Sequence, residues 1–212
     1  MASDFTAKME EIISNIRTYE KDNIHRAAEI LADTVKAGGT LYTFGTGHSF
    51  SVALEAVGKR GSLETAKLLD EHIPNLARFE RLPGLGPVIL KNYDLKPTDT
   101  VFVVSNSGRY PLTVEVAAEA KKRGAKVISI SAHAVKKELP SLAESGKYLS
   151  DVSDVAIDNH GLSSDLLVDI PEYGLKVGSP STLTGIYIYY LILEKMVDLL
   201  VESKVRPPLI KG

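Results

Sequence analysis

The chain has 212 residues, 44% of them hydrophobic and 25% charged, which suits one domain with a sizeable core and argues against a disordered segment or a fibrous repeat. Its 25 basic and 27 acidic residues leave a formal charge of −2, so general attraction to nucleic acid or an anionic membrane is not expected, and any bound anion needs a local site. The chain contains no cysteine, which removes disulfides, thiolate catalysis and cysteine metal sites, and its five histidines lack metal-ligand spacing.

No basic start followed by an apolar block is present at the amino terminus, so no signal peptide is read and a cytoplasmic protein is expected. From Asp4 to Lys36, Ile12, Ile16, Ile24, Ala27, Ala28, Leu31 and Val35 form a helical stripe that Gly38 and Gly39 end, with Glu20 to Asn23 as a break between two helices. This helical segment, 1–38, precedes an α/β core at 39–180 and a closing helix and tail at 181–212, read together as one domain. A strand at Leu41 to Phe44 runs into Gly45-Thr-Gly-His-Ser49 and then a helix to Lys59. A weak strand is expected at Leu63 to Leu68. Asp70 to Lys96 is irregular and rich in proline and glycine, with one helix at Val88 to Tyr93; such stretches are usually functional or mobile.

Val101 to Val104 is apolar without alternation, as in a strand buried on both faces, and runs into Ser105-Asn-Ser-Gly108. Pro111 suits the first turn of a helix that reaches Arg123 and stops at Gly124. A strand at Lys126 to Ile130, a short helix at Ser141 to Glu144 and a strand at Val152 to Ile157 follow. This alternation predicts a doubly wound α/β layer structure. The last helix is expected from Ser181, read as its cap, to Ser203. Its middle, Ile186 to Leu193, is apolar nearly all round but far short of the ~20 residues that cross a bilayer. Burial on all sides, partly by a second subunit, is the expectation, hence a homodimer or homotetramer.

The two glycine- and hydroxyl-rich loops are the chemical centre of the sequence. In each, a buried strand delivers the chain to the top of a sheet, glycines permit a tight turn, and a helix begins with unpaired N–H groups and the positive end of its dipole. Small hydroxyl side chains add donors without filling the pocket. Either loop alone also suits a structural turn, and the first lacks the third glycine of a dinucleotide fingerprint.

Together, Gly45-Thr-Gly-His-Ser49 and Ser105-Asn-Ser-Gly108 resemble the sugar isomerase (SIS) domain, and the likeness runs from the first strand through the last helix. Val155-Ala-Ile-Asp-Asn159 and Gly178-Ser-Pro-Ser-Thr182 are similar to a stand-alone SIS subgroup. The resemblance implies a five-stranded parallel sheet between helices, subunit assembly, and a phosphosugar at the strand ends. Carried over, it places the phosphate on Ser105, Asn106, Ser107 and Gly108, with Gly45, Gly47 and Ser49 assisting. Tyr110 stands where the family has a threonine, and Thr113 occupies a later hydroxyl position. Ser107-Gly-Arg-Tyr-Pro111 also resembles a motif of the related etherases, which act on an amino-sugar phosphate. The glutamate that those enzymes and the phosphoheptose isomerases place in the helix after the first loop aligns here with Lys59.

Aldose–ketose isomerisation needs a group that moves a proton between adjacent carbons. Glu55 shares a helical face with His48, about 10 Å further along, and these two are the candidate proton carriers; Glu55 also reads as an ordinary helix pair with Lys59. Glu71, His72 and His160 are secondary candidates, Arg109 could pair with an anionic group, and His25 and His133 read as structural. Tyr187, Tyr189 and Tyr190 read as packing, and Lys121 to Arg123 as cations at a helix end. The expectation is an oligomeric protein that binds an amino-sugar or hexose phosphate, without metal, cofactor, nucleic acid or membrane. Isomerase, non-catalytic phosphosugar sensor and etherase-like lyase stay open.

Overall fold

The computed structural model, which describes residues 4–69 and 76–211, begins with helices α1 (Phe5–Tyr19) and α2 (Lys21–Lys36). Asp4 caps α1 by accepting from Thr6 N–H at 2.9 Å, and the expected break falls at Glu20. The core follows as β1 (Leu41–Gly45), α3 (Ser49–Glu55), β2 (Ala66–Leu68), α4 (Leu85–Leu90), β3 (Thr100–Val104), α5 (Pro111–Lys122), β4 (Lys126–Ser131), α6 (His133–Glu138), α7 (Leu149–Val152) and β5 (Val155–Asp158). A two-stranded hairpin, β6 (Val168–Ile170) and β7 (Leu175–Val177), precedes the long helix α8 (Ser181–Glu202).

The five core strands are parallel in the order β2-β1-β3-β4-β5, flanked by helices on both faces. All five residues of β1 and of β3 are buried, which is why neither strand shows an alternating polarity. Successive side chains still point to opposite faces. Phe102 and Val104 enter the core formed with α1, α2, α3 and α8, whereas Val101 and Val103 enter the one formed with α4, α5 and α7. Chain order reverses between β1 and β3, and this is where α/β sheets open a crevice at their carboxyl edge. Gly45 is registered opposite Val104, so the two loops leave the sheet side by side.

Several boundaries differ from expectation. The helix after the first loop stops at Glu55, because Ala56 to Lys59 turn away into Gly58 with a φ of 72°. Ser141 to Glu144 is not helical; the Ser141 hydroxyl instead closes a loop, accepting from Ala143 N–H and donating to Lys147 O. Helices stand on either side of that loop, as α6 and α7. Ser181 is the first residue of α8 and not its cap: Pro180 holds that place, and the Ser181 hydroxyl donates to Asp165 at 2.8 Å. The β6–β7 hairpin was not expected. Nor is α8 covered all round within one chain, since Leu183, Tyr190 and Val201 are exposed. Among the described residues, no helix is long and apolar enough to cross a membrane.

Candidate functional site

The first loop is held by its glycines. A side chain on Gly45 would place Cβ 2.5 Å from Ser49 O, so β1 turns against the start of α3 only because that carbon is missing. Gly47 has a φ of 56°, the left-handed region that other residues enter at a cost. Ser49, Phe50 and Ser51 N–H bond back to Thr46, Gly47 and His48 carbonyls, leaving the N–H groups of Thr46, Gly47 and His48 with no partner among the described residues. The His48 side chain is exposed.

A second set of open donors lies beside it. Gly108, at a φ of 58°, donates its N–H to Ser105 Oγ at 3.2 Å, and its absent side chain lets the loop lie against Ser131, whose Cβ is 3.1 Å from the position a Cβ would take. The N–H groups of Asn106, Ser107, Arg109 and Tyr110 have no partner among the described residues, and the half-buried Ser107 hydroxyl has none either. Arg109 adds a guanidinium whose buried Nε is also unpaired among them. Two adjacent turns thus present seven backbone donors, a hydroxyl and a cation at the switch point of the sheet, the composition of an anion cradle.

Asn106 serves as a joint. Its side-chain oxygen accepts from Asn159 Nδ2 at 2.8 Å, and its carbonyl accepts from Ala132 N–H at 2.8 Å. Asn159 is buried at the tip of β5 and also accepts from Gly161 N–H, so loop two is tied to the far side of the sheet. A narrow crevice lined by Ser49, Asn106, Asn159, Ser181 and Thr182, with room for about one water, runs between the loops and the start of α8. Asn159 was quoted in the sequence likeness without a role; its contact with Asn106 spans 53 residues and leaves no local signal.

Two expected site residues, Thr113 and Glu55, are placed otherwise. Thr113 is fully buried and its hydroxyl donates to Tyr110 O at 3.2 Å, within the first turn of α5. Glu55 faces α8, where its Oε1 accepts from both Lys59 Nζ and Tyr190 Oη; Lys59 Nζ and Tyr190 Oη are themselves 3.0 Å apart. The hydrogen bond from Lys59, and then that from Tyr190, hold the Glu55 carboxyl below its ordinary pKa. It is therefore a firmly ionised group at the far end of α3, about 9 Å from Ser49, and not a neighbour of the open donors. Glu71 and His72 lie outside the described residues.

The remaining histidines have partners outside the two loops. His160, with a φ of 54°, stands 3.3 Å from the buried Glu20 and packs against the Tyr19 ring. His133 donates its backbone N–H to Asp158, and His25 pairs with Glu29. An open groove of about 580 Å³ lies at the opposite edge of the sheet and includes Arg26, Lys126 and Asp154. Asp154 is already paired with Lys121 and Lys126, and among the described residues no unpaired backbone donor like those of the two loops lines the groove, so the loops are the better anion site.

A sequence model of the SIS domain matches residues 4–132. A UPF0309 protein of Shouchella clausii is 34% identical over 195 residues, covering 88% of this chain and 79% of the relative. Among solved structures, a phosphoheptose isomerase of Francisella tularensis superposes with a TM-score of 0.63 at 15% identity, covering 91% of this chain and 94% of that one. The Vibrio vulnificus NanR protein complexed with ManNAc-6P superposes with a TM-score of 0.54 at 16% identity, covering 95% and 65% respectively. At these identities the solved structures share the fold.

Proposed function

We propose, because this chain belongs to the SIS-domain family, that its two loops bind the phosphate of a phosphorylated amino sugar or hexose. The observation that carries this reading is the cluster of N–H groups at Thr46 to His48 and at Asn106, Ser107, Arg109 and Tyr110, together with the Ser107 hydroxyl, that have no partner among the described residues. A phosphate offers several strong acceptors to such a cluster, and a neutral sugar does not. The sugar would then extend toward Asn106, Asn159 and the Ser181–Thr182 end of α8, whose hydroxyl and amide groups suit a polyol.

Isomerisation within this site needs a proton carrier near the sugar carbons. Glu55 is engaged with Lys59 and Tyr190, which favours binding without turnover as the second reading: a phosphosugar sensor. Replacing Ser107 with alanine removes one hydroxyl donor to the phosphate and should weaken phosphosugar binding by about tenfold, with the fold unchanged. Calorimetric titration checks this, and undiminished affinity removes Ser107 from the site. The exposed Leu54, Leu183 and Tyr190 on α3 and α8 would be covered in a homodimer or homotetramer. Sedimentation as a monomer at micromolar concentration would refute that assembly.

A further inference from the structure

Residues 76–84 lie across both loops. Glu80 is their centre. Its Oε2 accepts from the buried Thr46 Oγ1 of loop one at 3.0 Å, and its backbone carbonyl accepts from Leu112 N–H, in the first turn of α5, at 3.1 Å. Arg81 donates to Tyr110 Oη at 3.3 Å and lies 5.2 Å above that ring, so the same segment also grips the end of loop two. Its base is clamped separately: the Glu115 carboxylate accepts from Gly84 N–H at 2.8 Å and from Gly86 N–H at 3.0 Å.

Resting on the phosphate reading of the loops, we propose that residues 76–84 form a strap that an incoming anion must displace, with Glu80 as the built-in competitor for the site. Two donors that an anion at the loops would use, the Thr46 hydroxyl and the Leu112 N–H, are held by Glu80. Pro111 has no N–H to give, so while the strap is down the first two positions of α5 offer nothing to a ligand. Glu80 also brings a negative charge to within hydrogen-bonding distance of loop one, where it repels a phosphate. Anions that bind too weakly to lift the strap would be kept out. A ligand with further contacts to the crevice would lift it, so Glu80 acts as a threshold for selectivity. The Glu115 clamp keeps the base of the strap fixed while its Glu80–Arg81 tip moves.

The test titrates inorganic phosphate into the parent, Glu80→Gln and Glu80→Ala. Loss of the charge should tighten phosphate binding by about tenfold in Glu80→Gln, and loss of the contact as well should tighten it further in Glu80→Ala. Equal or weaker binding by both variants overturns the strap and leaves the phosphate reading intact. If neither the parent nor the variants bind phosphate, that reading falls and the strap with it. A second arm locks the strap. The chain has no cysteine, and a Cβ built on Gly47 lies 3.7 Å from Ala77 Cβ, within disulfide range. The oxidised Gly47→Cys/Ala77→Cys protein should bind phosphate at least about tenfold more weakly than the same protein after reduction. Equal binding by the two redox forms overturns displacement.

Discussion

Gly45→Ala should lower stability by about 2–4 kcal/mol and abolish most phosphosugar binding, a large effect for one methyl group. The added carbon would lie 2.5 Å from Ser49 O, 2.7 Å from Ser49 C and 3.0 Å from Phe50 N. All three are backbone atoms, so no side-chain rotation relieves the clash, and either the end of β1 or the start of α3 must move. Movement of β1 disturbs its register with β3, where Gly45 faces Val104. Movement of α3 carries away the Thr46 to His48 donors. For a chain of this length each kcal/mol corresponds to about 2–4 °C, so thermal denaturation should show a drop of about 5–15 °C. Ser51→Ala, on the exposed side of α3, is the control and should melt with the parent. A Gly45→Ala protein that melts and binds normally would mean that the loop tolerates another course.

Phe102→Ala should cost about 3–5 kcal/mol. Phe102 is 2% exposed in the central strand, and its ring centroid lies 5.9 Å from that of Tyr189 on α8. Truncation leaves a cavity bounded by a sheet residue on one side and α8 on the other, and neither can collapse without separating the long helix from the strands. Its denaturant midpoint should fall with little change in slope, the pattern of lost stability in a chain that still unfolds as a unit. Loop two begins at Ser105 on the same strand, so the loss of packing should also loosen the phosphate cradle. A cost below about 1 kcal/mol would contradict the packing described here.

How much of this was legible in the sequence depends on the range over which each contact acts. The two strands that carry the loops were readable because their burial is complete, leaving Val101 to Val104 as an uninterrupted apolar run and Leu41 to Phe44 as one broken only by Thr43. Gly45, Gly47 and Gly108 were readable as turn residues because their requirement is set by their own backbone. The helix placed at Ser141 to Glu144 was wrong because serine there closes a loop through its hydroxyl, which competes with helical hydrogen bonding. The β6–β7 hairpin was missed because its strands have three residues each, too few for the alternation in Val168-Asp-Ile170 and Leu175-Lys-Val177 to stand out, and because β7 is wholly exposed.

Within the site, Thr113 read as an available hydroxyl from its position, but only the tertiary structure shows it fully buried beneath the first turn of α5. Glu55 was read as a candidate proton carrier and, alternatively, as paired with Lys59 in one helix; the two do pair, although α3 ends at Glu55, and Tyr190, 135 residues away from Glu55, completes that cluster. Glu80 fell in a stretch recognised as irregular and rich in glycine and proline. Its significance lies in bonds to Thr46 and Leu112, which periodicity cannot register.

The most direct test of the phosphate cradle is the thermal shift of the parent protein with N-acetylmannosamine 6-phosphate and other sugar phosphates, each beside its unphosphorylated sugar. At one hundred times its dissociation constant a ligand adds about 2.7 kcal/mol, a rise of roughly 5–10 °C here. The cradle predicts that at least one sugar phosphate gives such a rise while its parent sugar gives none. Equal shifts by the phosphorylated and unphosphorylated forms, or no shift with any sugar phosphate, would contradict it.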